Sequence, residues 1–508
     1  MTRATPTETP EPVEREPAAM SVRGAAVWAM AGQYISFGVQ FAASVIISRY
    51  FLTPAEVGLF SISLAAALLV AVLQDFGLSR YISGLPVLNR EEIARCSSVA
   101  FLFSLIIASI IAITSWPMAK LYGQPALAPI LLVVAGSYLF VPLSVVPLAL
   151  MARTMQFRGH FAVNVGGAVA QGGVAVALAA AGYSSFALAW AMIAASLARG
   201  LIAQALRPCL PLPLRLDGLG QVINFGARTS VLYVTGALGT RTPDLIVGKL
   251  LGLFAVGLYS RAVSLSDQFR TLISGAIGSV FFPAFARIRD RGEPLGPAYL
   301  RVCAGYSAVI WPGMAGLALA SEPIIRILYG EVWIETAPLL AMIAVTEIML
   351  IALPLVSELP IVVGKLNRLI ALNLLDTALS IILLAIGCLW GVEGAAASRL
   401  VYGVLWLCIY VRFMHGVVQF DARALLRIYA KSGLATASAL IPLALTYLLW
   451  ASPSQIGFGA LAASVIAGAF TWFGALILLR HPALNEFLAI AATLPLGRFL
   501  RLPATAPR

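Results

Sequence analysis

The feature that most limits what this chain can fold into is a succession of fourteen mostly apolar stretches along its length. A helix needs about 20 mostly apolar residues to cross the hydrocarbon core of a bilayer. We therefore expect fourteen transmembrane helices, two of which (254–282 and 336–362) are long enough to tilt or to extend out of the membrane. The predicted spans are 25–47, 56–76, 98–118, 129–151, 161–181, 185–205, 222–242, 254–282, 300–320, 336–362, 367–389, 391–412, 428–450 and 456–479.

The composition supports this interpretation. Of the 508 residues, 60% are hydrophobic and only 11% are charged, and the mean hydropathy is +0.92. Soluble globular proteins are about 45–50% apolar and about 25% charged, and a soluble fold of this size has too little interior for so much apolar surface. The numbers exclude a soluble enzyme, and they exclude a nucleic-acid-binding protein despite a net charge of +12. The expected fold class is an all-α polytopic membrane protein.

Lysine and arginine are distributed unevenly between the two sides of the predicted membrane. With the N-terminus in the cytoplasm, twenty-four of the thirty-four Lys and Arg residues fall on the cytoplasmic side, four on the other side and six within spans. Basic residues concentrate in cytoplasmic loops because they resist translocation. Both termini are therefore predicted to be cytoplasmic, with 1–21 a disordered tail and 481–508 a second tail, and no nucleic-acid partner is expected.

Short segments of the first half recur about two hundred residues later in the same order, which suggests a duplication. An even number of helices in each copy gives both copies the same orientation, related by an axis along the membrane normal. We expect two six-helix bundles (22–215 and 216–415) around a central cleft, followed by two extra helices within 416–480. The matching pairs are Ser48–Phe51 with Gly248–Leu251, Val57–Ser61 with Val256–Ser260, Leu121–Gly123 with Leu328–Gly330, and Ala128-Pro129 with Ala337-Pro338.

Ionisable residues within the spans are informative because a charge at the bilayer centre costs about 2.5–3.5 kcal/mol and normally faces a cavity or a partner. Arg270 and Arg399 lie deepest among the six arginines, and Glu347 and Asp376 are the deep acids. Asp267 is three residues from Arg270, so the two share a helix face and can pair; a second pair, Arg241 and Asp244, has the same spacing. The remaining arginines can reach an interface along their own stems, as Arg241 can, and they are Arg199, Arg228 and Arg261.

Basic residues outnumber acidic ones among the charges of the seventh, eighth and twelfth spans, which favours an anionic ligand. Guanidinium groups bind phosphate through paired hydrogen bonds and stay protonated in proteins. A water-filled cleft with these arginines would attract a phosphate or pyrophosphate head group, and the candidate substrate-binding residues are Arg270, Arg399, Arg228 and Arg241. The alternative is that the buried charges pair with one another and only fix the register of the helices.

Motifs of catalysis and of metal binding are absent from the sequence. It contains no GxxxxGK[ST], HExxH or GxSxG motif, its five cysteines have no metal-ligand spacing, and its loops are too short for an ordinary active site. We expect transport rather than catalysis, with no metal and no cofactor. The driving force is left open between a proton, a sodium ion and the membrane potential, and Asp267, Glu347 and Asp376 are candidate gating or coupling residues.

Several segments resemble the sequence motifs of polysaccharide flippases, and the resemblance covers roughly 22–415. Arg49–Leu59 is similar to their R-x-L-x-P-x-x-x-G signature, Asp75–Ser79 to D-x-G-L-S, and Asp244–Gly252 with Gly257–Ala262 to D-x-x-x-G-x-x-L-G…G-x-Y-x-x-A, while Phe282–Arg287 and Tyr329–Trp333 extend the match. The chain thus resembles the lipopolysaccharide-exporter branch of the multidrug/oligosaccharidyl-lipid/polysaccharide transporter superfamily.

This resemblance implies a MATE-like fold and the translocation of undecaprenyl-pyrophosphate-linked oligosaccharide across a bacterial inner membrane, for exopolysaccharide, capsule or O-antigen. It also implies contact with membrane lipids and with a polysaccharide polymerase and co-polymerase. Arg49, Asp75 and Asp244 occupy motif positions and are candidates for gating or coupling. The alternative function is a MATE-type, cation-coupled exporter of small molecules, for which an acid-dominated cleft is expected.

Overall fold

The computed structural model describes residues 20–72, 78, 81–82, 89–209, 236–274 and 281–484, and most of these are helical. Helices are numbered here in chain order. The first seven are α1 (Val22–Tyr50), α2 (Pro54–Ala71), α3 (Arg90–Tyr122), α4 (Leu127–Tyr138), α5 (Pro142–Arg153), α6 (Phe157–Ala180) and α7 (Ser185–Leu206).

The described part of α8 covers 236–251. The helices that follow are α9 (Leu253–Ser274), α10 (Phe281–Asp290), α11 (Leu295–Leu319), α12 (Ser321–Leu328), α13 (Thr336–Ile351), α14 (Glu358–Val362), α15 (Leu366–Gly387), α16 (Gly391–Val418), α17 (Ala422–Leu449) and α18 (Phe458–Leu478).

Thirteen of the fourteen predicted spans overlap a described helix or helix pair over most of their length, and the second, seventh and eighth extend into residues outside the described ones. By length and apolarity, nine helical segments of the described chain can cross a membrane, or ten if α4 and α5, bent by 42°, form one span. This lower number arises because α15 and α16 form one segment, α13 is short, α8 is only partly described, and α9 carries Arg261, Asp267 and Arg270. The predicted all-α polytopic fold class is confirmed.

The chain forms two compact units, each of which is described by itself. Unit 1 contains the described residues of Met1–Phe51 and Ala66–Val234, and unit 2 contains those of Leu52–Ala65 and Thr235–Arg508. The first part of α2 therefore belongs to unit 2. The repeat boundaries predicted from the sequence stay a prediction.

In unit 1, small residues let α6 approach α1 closely. A Cβ on Gly172 of α6 would lie 3.1 Å from the Cβ of Ala43, and one on Gly32 of α1 would lie 3.4 Å from the ring of Phe161. Small residues at helix interfaces are typical of membrane proteins. The two contacts follow each other in the same order on both helices, so α1 and α6 run parallel.

In unit 2, aromatic side chains of α16 fill the core. Trp406 and Tyr410 are four residues apart, on one face of the helix, and their rings stack with centroids 4.5 Å apart. Both side chains are buried, in a cluster that includes Phe285 of α10 and Tyr299 of α11. Tyr402, one turn before Trp406 on the same face of α16, is also part of this cluster.

The start of α2 crosses α9 at a distance that only glycine permits. A Cβ on Gly58 would overlap the carbonyl oxygen of Leu253, and a Cβ on Gly257 would overlap the carbonyl oxygen of Pro54. One turn further along, the Oγ atoms of Ser61 and Ser260 share a hydrogen bond of 2.9 Å. The repeat predicted from the sequence makes Gly58 equivalent to Gly257 and Ser61 equivalent to Ser260. We call this contact between α2 and α9 the glycine crossing.

A buried chain of hydrogen bonds attaches α17 and α18 to α11. His481, just after α18, accepts a hydrogen bond at Nδ1 from the Ala483 N–H, so its Nε2–H points to Ser432 Oγ at 3.0 Å. Ser432 of α17 shares a hydrogen bond of 2.8 Å with Ser307 of α11, which donates to the carbonyl of Cys303. Such a chain costs little in a dry interior because each of its polar groups has a partner.

Candidate substrate and coupling site

Arg270 lies between two carboxylates of unit 2. Its Nη2 donates to Asp267 Oδ1 at 2.9 Å, as the spacing along α9 predicted. Its Nε lies 3.2 Å from Glu347 Oε2 of α13, without the alignment of a hydrogen bond. The Glu347 side chain is only 12% exposed, whereas those of Arg270 and Asp267 are 38% and 51% exposed. The positive charge of Arg270 is thus largely balanced by its own neighbours.

Arg399 of α16 has a different environment. Its Nη1 donates to Ser380 Oγ of α15 at 3.2 Å, and its guanidinium carbon lies 5.0 Å above the ring of Tyr402. Within the described residues no carboxylate oxygen lies within ion-pair distance of it, although Glu347 acts on it electrostatically at longer range. Arg399 is therefore a cation packed between α15 and α16, and most of its five N–H donors have no partner among the described residues.

One face of α15 carries the polar groups that meet α16. Asn373, Asp376 and Ser380 follow the three- and four-residue spacing of a helix face. Tyr410 donates to Asn373 Oδ1 at 3.0 Å. The Oδ1 atom of Asp376 is buried and has no hydrogen-bond partner in the described part of the chain, while Arg399 acts on the carboxylate electrostatically. Asp376 is therefore near enough to Arg399 to interact with it electrostatically but forms no ion pair with it.

The structure does not bring all the predicted residues to this place. Arg241 is exposed, and no ion pair joins it to Asp244 among the described residues, so the two interact only electrostatically. Arg49 of unit 1 lies against the ring of Tyr50, with its guanidinium carbon 5.8 Å from the ring centre. The two remaining candidates, Arg228 and Asp75, lie outside the described residues.

The motif around Glu56 has a structural role at the start of α2. Thr53 donates to Glu56 Oε2 from both its N–H and its Oγ1, each at 2.8 Å, and the Glu56 N–H lies 3.5 Å from Thr53 Oγ1. This reciprocal arrangement is a capping box, with Pro54 at the first helical position where its missing N–H costs nothing. These motif residues start the helix, and Gly58 of the same motif forms the glycine crossing.

Two further groups were not recognised from the sequence. Tyr329 and Trp333 enclose the guanidinium of Arg261, whose carbon lies 5.2 and 5.3 Å from the two ring centres, so this arginine is held by a cation–π cage. Ser380 and Tyr402 hold Arg399. The cage around Arg261 and the contact of Arg399 with Ser380 depend on packing between helices. The local signals were the Tyr329–Trp333 segment of the flippase motif and the three-residue spacing of Arg399 and Tyr402 on α16.

Fold and site together define a polytopic α-helical membrane protein with buried charged groups in the second unit. A comparison with protein families identifies residues 46–338 as a "Polysaccharide biosynthesis protein" segment. The chain belongs to this polysaccharide biosynthesis protein family.

Curated relatives have related names. The chain is 25% identical over 344 residues to the succinoglycan biosynthesis transport protein ExoT of Rhizobium meliloti (strain 1021), with 63% of this chain and 65% of that protein covered. It is 21% identical over 340 residues to the lipopolysaccharide biosynthesis protein WzxC of Escherichia coli (strain K12), with 64% and 66% covered. The chain thus spans just under two thirds of the length of these relatives.

Among solved structures, the chain is similar to the lipid II flippase MurJ in an inward closed conformation. The TM-score is 0.69 at 16% sequence identity, and the alignment covers 89% of this chain and 99% of MurJ. At this identity the likeness concerns the fold alone. It supports the expected MATE-like arrangement of helices.

Proposed function

We propose that this protein is a flippase that moves undecaprenyl-pyrophosphate-linked oligosaccharide across the membrane for the synthesis of a surface polysaccharide. Membership of the polysaccharide biosynthesis protein family supports the biological process, and the similarity to the transport protein ExoT and to WzxC supports a transport step within it. The observation that carries the proposal is Arg399, an interior cation with one hydrogen bond to Ser380 and no ion pair among the described residues.

Arg399 is available to bind the pyrophosphate, whereas the availability of Arg270 depends on the charge of its two neighbouring acids. A guanidinium with unused donors can bind a phosphate oxygen pair. Arg270 is already balanced by Asp267 and Glu347, so it becomes available to substrate only when one of these acids is neutralised by a proton or another cation. Glu347, Asp267 and Asp376 are therefore the acids through which a coupling ion would act, and the membrane potential remains the other source of direction.

The location follows from the same proposal. A flippase that loads lipid-linked sugar from the cytoplasmic leaflet belongs in a bacterial inner membrane, and the distribution of Lys and Arg supports cytoplasmic termini. A polysaccharide polymerase and co-polymerase would use the sugar delivered on the other side. The protein itself would catalyse no covalent step.

Deletion of the gene tests the function. We expect loss of a surface polysaccharide and accumulation of lipid-linked oligosaccharide, both restored by the wild-type chain. Arg399→Ala should fail to restore polysaccharide, although immunoblots show normal amounts of protein in the membrane. Arg158→Gln, at an exposed arginine near the start of α6, is the matched control and should restore it fully.

Two outcomes would contradict the proposal. Unchanged polysaccharide in the deletion strain, together with new sensitivity to cationic dyes, would indicate a MATE-type exporter of small molecules. Full restoration by Arg399→Ala would remove this residue from the substrate site.

A further inference from the structure

Unit 1 contains exposed polar side chains in the middle of a membrane-crossing helix. Gln33 and Gln40 of α1 are both exposed, and because they are seven residues apart they share one face of the helix, two turns from each other. On roughly the opposite face, Ile35 and Ile46 are 45% and 39% exposed. A helix with two exposed faces of different polarity can turn only the apolar one to lipid, so the glutamines face water or a ligand.

The neighbouring helix repeats this pattern. Asn164 and Gln171 of α6 are also seven residues apart and half-buried. Asn164 donates from Nδ2 to His160 Nδ1 at 2.8 Å. Its Oδ1 and the whole Gln171 amide have no hydrogen-bond partner among the residues that the structure describes. Unused amide groups inside a membrane protein are costly unless something from outside the chain binds them.

The two pairs of amides lie on the same side of the packed helices. The contacts of Gly32 with Phe161 and of Gly172 with Ala43 place each residue of α1 beside the residue of α6 that is 129 positions later. The amides of α1 and α6 then alternate along the helix axis over about 14 Å, at 1.5 Å per residue. Their order is Gln33, Asn164, Gln40 and Gln171.

The third helix of the groove is α7. A Cβ on Gly166 of α6 would overlap the side chain of Ile202 of α7. On the α6 helical wheel, Asn164 and Gln171 fall between the positions that face α1 and Gly167, which meets the side chain of Arg199 of α7. The opposite side of the wheel carries Val169, which is 53% exposed. Helix α6 is thus the floor of a polar groove, with α1 and α7 as its walls.

An arginine of α7 reaches into this groove. The stem of Arg199 lies over Gly167, where any Cβ would clash with Arg199 Cγ, Cδ and Nε. Gly167 is ten residues, or about 15 Å, from the start of α6. It lies one turn from both Asn164 and Gln171. Its Nε is buried without a hydrogen bond, and among the described residues no ion pair or hydrogen bond reaches its guanidinium.

We propose that this groove, formed by Gln33, Gln40, Asn164, Gln171 and Arg199, binds the polar head of the lipid-linked substrate. Amide groups both donate and accept, which matches the hydroxyl groups of a sugar, and a guanidinium without a protein partner matches a phosphate. These five residues include no carboxylate, so the groove suits a neutral or acidic oligosaccharide and not a cationic one. The inference rests on the proposed function and assigns the recognition of the sugar to unit 1.

Binding to two purified lipids tests the groove. Full-length protein in detergent is titrated with undecaprenyl pyrophosphate and with the lipid-linked oligosaccharide extracted from the deletion strain. The double variant Gln40→Leu, Asn164→Leu should bind the glycosylated lipid at least fivefold more weakly and the bare lipid within twofold of wild type. Arg199→Gln should weaken the binding of both lipids about tenfold.

Control variants and thermal melting separate recognition from folding. Val169→Leu on the lipid-facing side of α6 should bind both lipids as wild type does. If Arg199→Gln does not fold, the double amide variant decides alone, since leucine replaces its polar groups by apolar ones of similar size.

The possible failures are distinguishable. Wild-type affinity of the double amide variant for the glycosylated lipid would overturn the groove and leave the flippase proposal intact. A wild-type protein that binds neither lipid and whose deletion leaves polysaccharide unchanged would overturn the flippase proposal itself.

Discussion

The buried and interfacial arginines differ in how many of their five N–H donors the chain itself uses. Arg289, at the end of α10, donates to Asp290 and to the Val362 carbonyl. Arg399 makes one hydrogen bond within the described residues, to Ser380, and Arg199 makes none. Because an unused donor in a dry environment is costly, the arginines with the fewest partners are the better candidates for ligand binding. This ranking places Arg399 before Arg270, which the sequence treated as equals.

A single histidine makes the stability depend on pH. Burial, and next the ammonium of Lys431, lower the pKa of His481 from 6.5 to about 4. Between these values the unfolded chain binds a proton that the folded chain does not, so the free energy of unfolding falls as the pH drops below 6.5 and is fully present above it. At pH 5 the loss is about 2 kcal/mol. This loss of stability is measured as a fall in the melting temperature of the protein in detergent between pH 7.5 and pH 5.

His481→Gln is the control for this pH dependence. Glutamine does not titrate, so its melting temperature should vary less with pH than that of the wild type, even if it is lower throughout. Equal slopes in the two proteins would show that other groups dominate the effect.

At the scale of elements, the start of α2 illustrates how motif residues can serve folding. The capping box of Thr53 and Glu56 begins the helix, and the glycine crossing fixes it against α9. The motif resemblance identified these residues as characteristic, and it also suggested a gating role for the neighbouring Arg49. The contacts of Thr53, Glu56 and Gly58 are explained by helix initiation and packing alone.

Gly58→Ala should destabilise the protein because the new methyl group overlaps the carbonyl oxygen of Leu253. Overpacking of this kind costs about 1–3 kcal/mol, measured as a lower melting temperature of the purified protein. Gly305→Ala in α11 is the matched control, since a Cβ there meets nothing within 4 Å, and it should be neutral or slightly stabilising. Equal melting temperatures for the two variants would mean that α2 and α9 lie further apart than described.

For the whole molecule, the sequence predicted the helices well and the partners of the charges poorly. Hydropathy is a property of each segment, so the spans were recognised without knowledge of their neighbours. The pair Asp267 and Arg270 was predicted because it lies within one helix. The contact of Arg270 with Glu347, and the cage around Arg261, join different helices and depend on packing that no local spacing specifies. Arg241 and Asp244 have the same spacing within one helix but form no ion pair among the described residues. A three-residue spacing therefore permits a pair without ensuring it.

The predicted sidedness of the whole molecule can be measured with a membrane-impermeant maleimide. In a background from which the five native cysteines are removed, Lys120→Cys should be labelled in spheroplasts and Arg291→Cys only after lysis. Both positions are exposed, so labelling after lysis is the control for reactivity. Labelling of Arg291→Cys in intact spheroplasts would reverse the proposed orientation.

The glycine crossing has a consequence for how this chain can change over generations. If the halves descend from a duplication, most of their positions have been free to diverge, because each side chain meets a different set of neighbours in each half. Gly58 and Gly257 meet at the same place, as do Ser61 and Ser260. A substitution at one of these positions changes the packing of its equivalent position in the other half. These positions should therefore be the slowest to diverge from one another, and sequences of relatives should keep glycine at both or at neither.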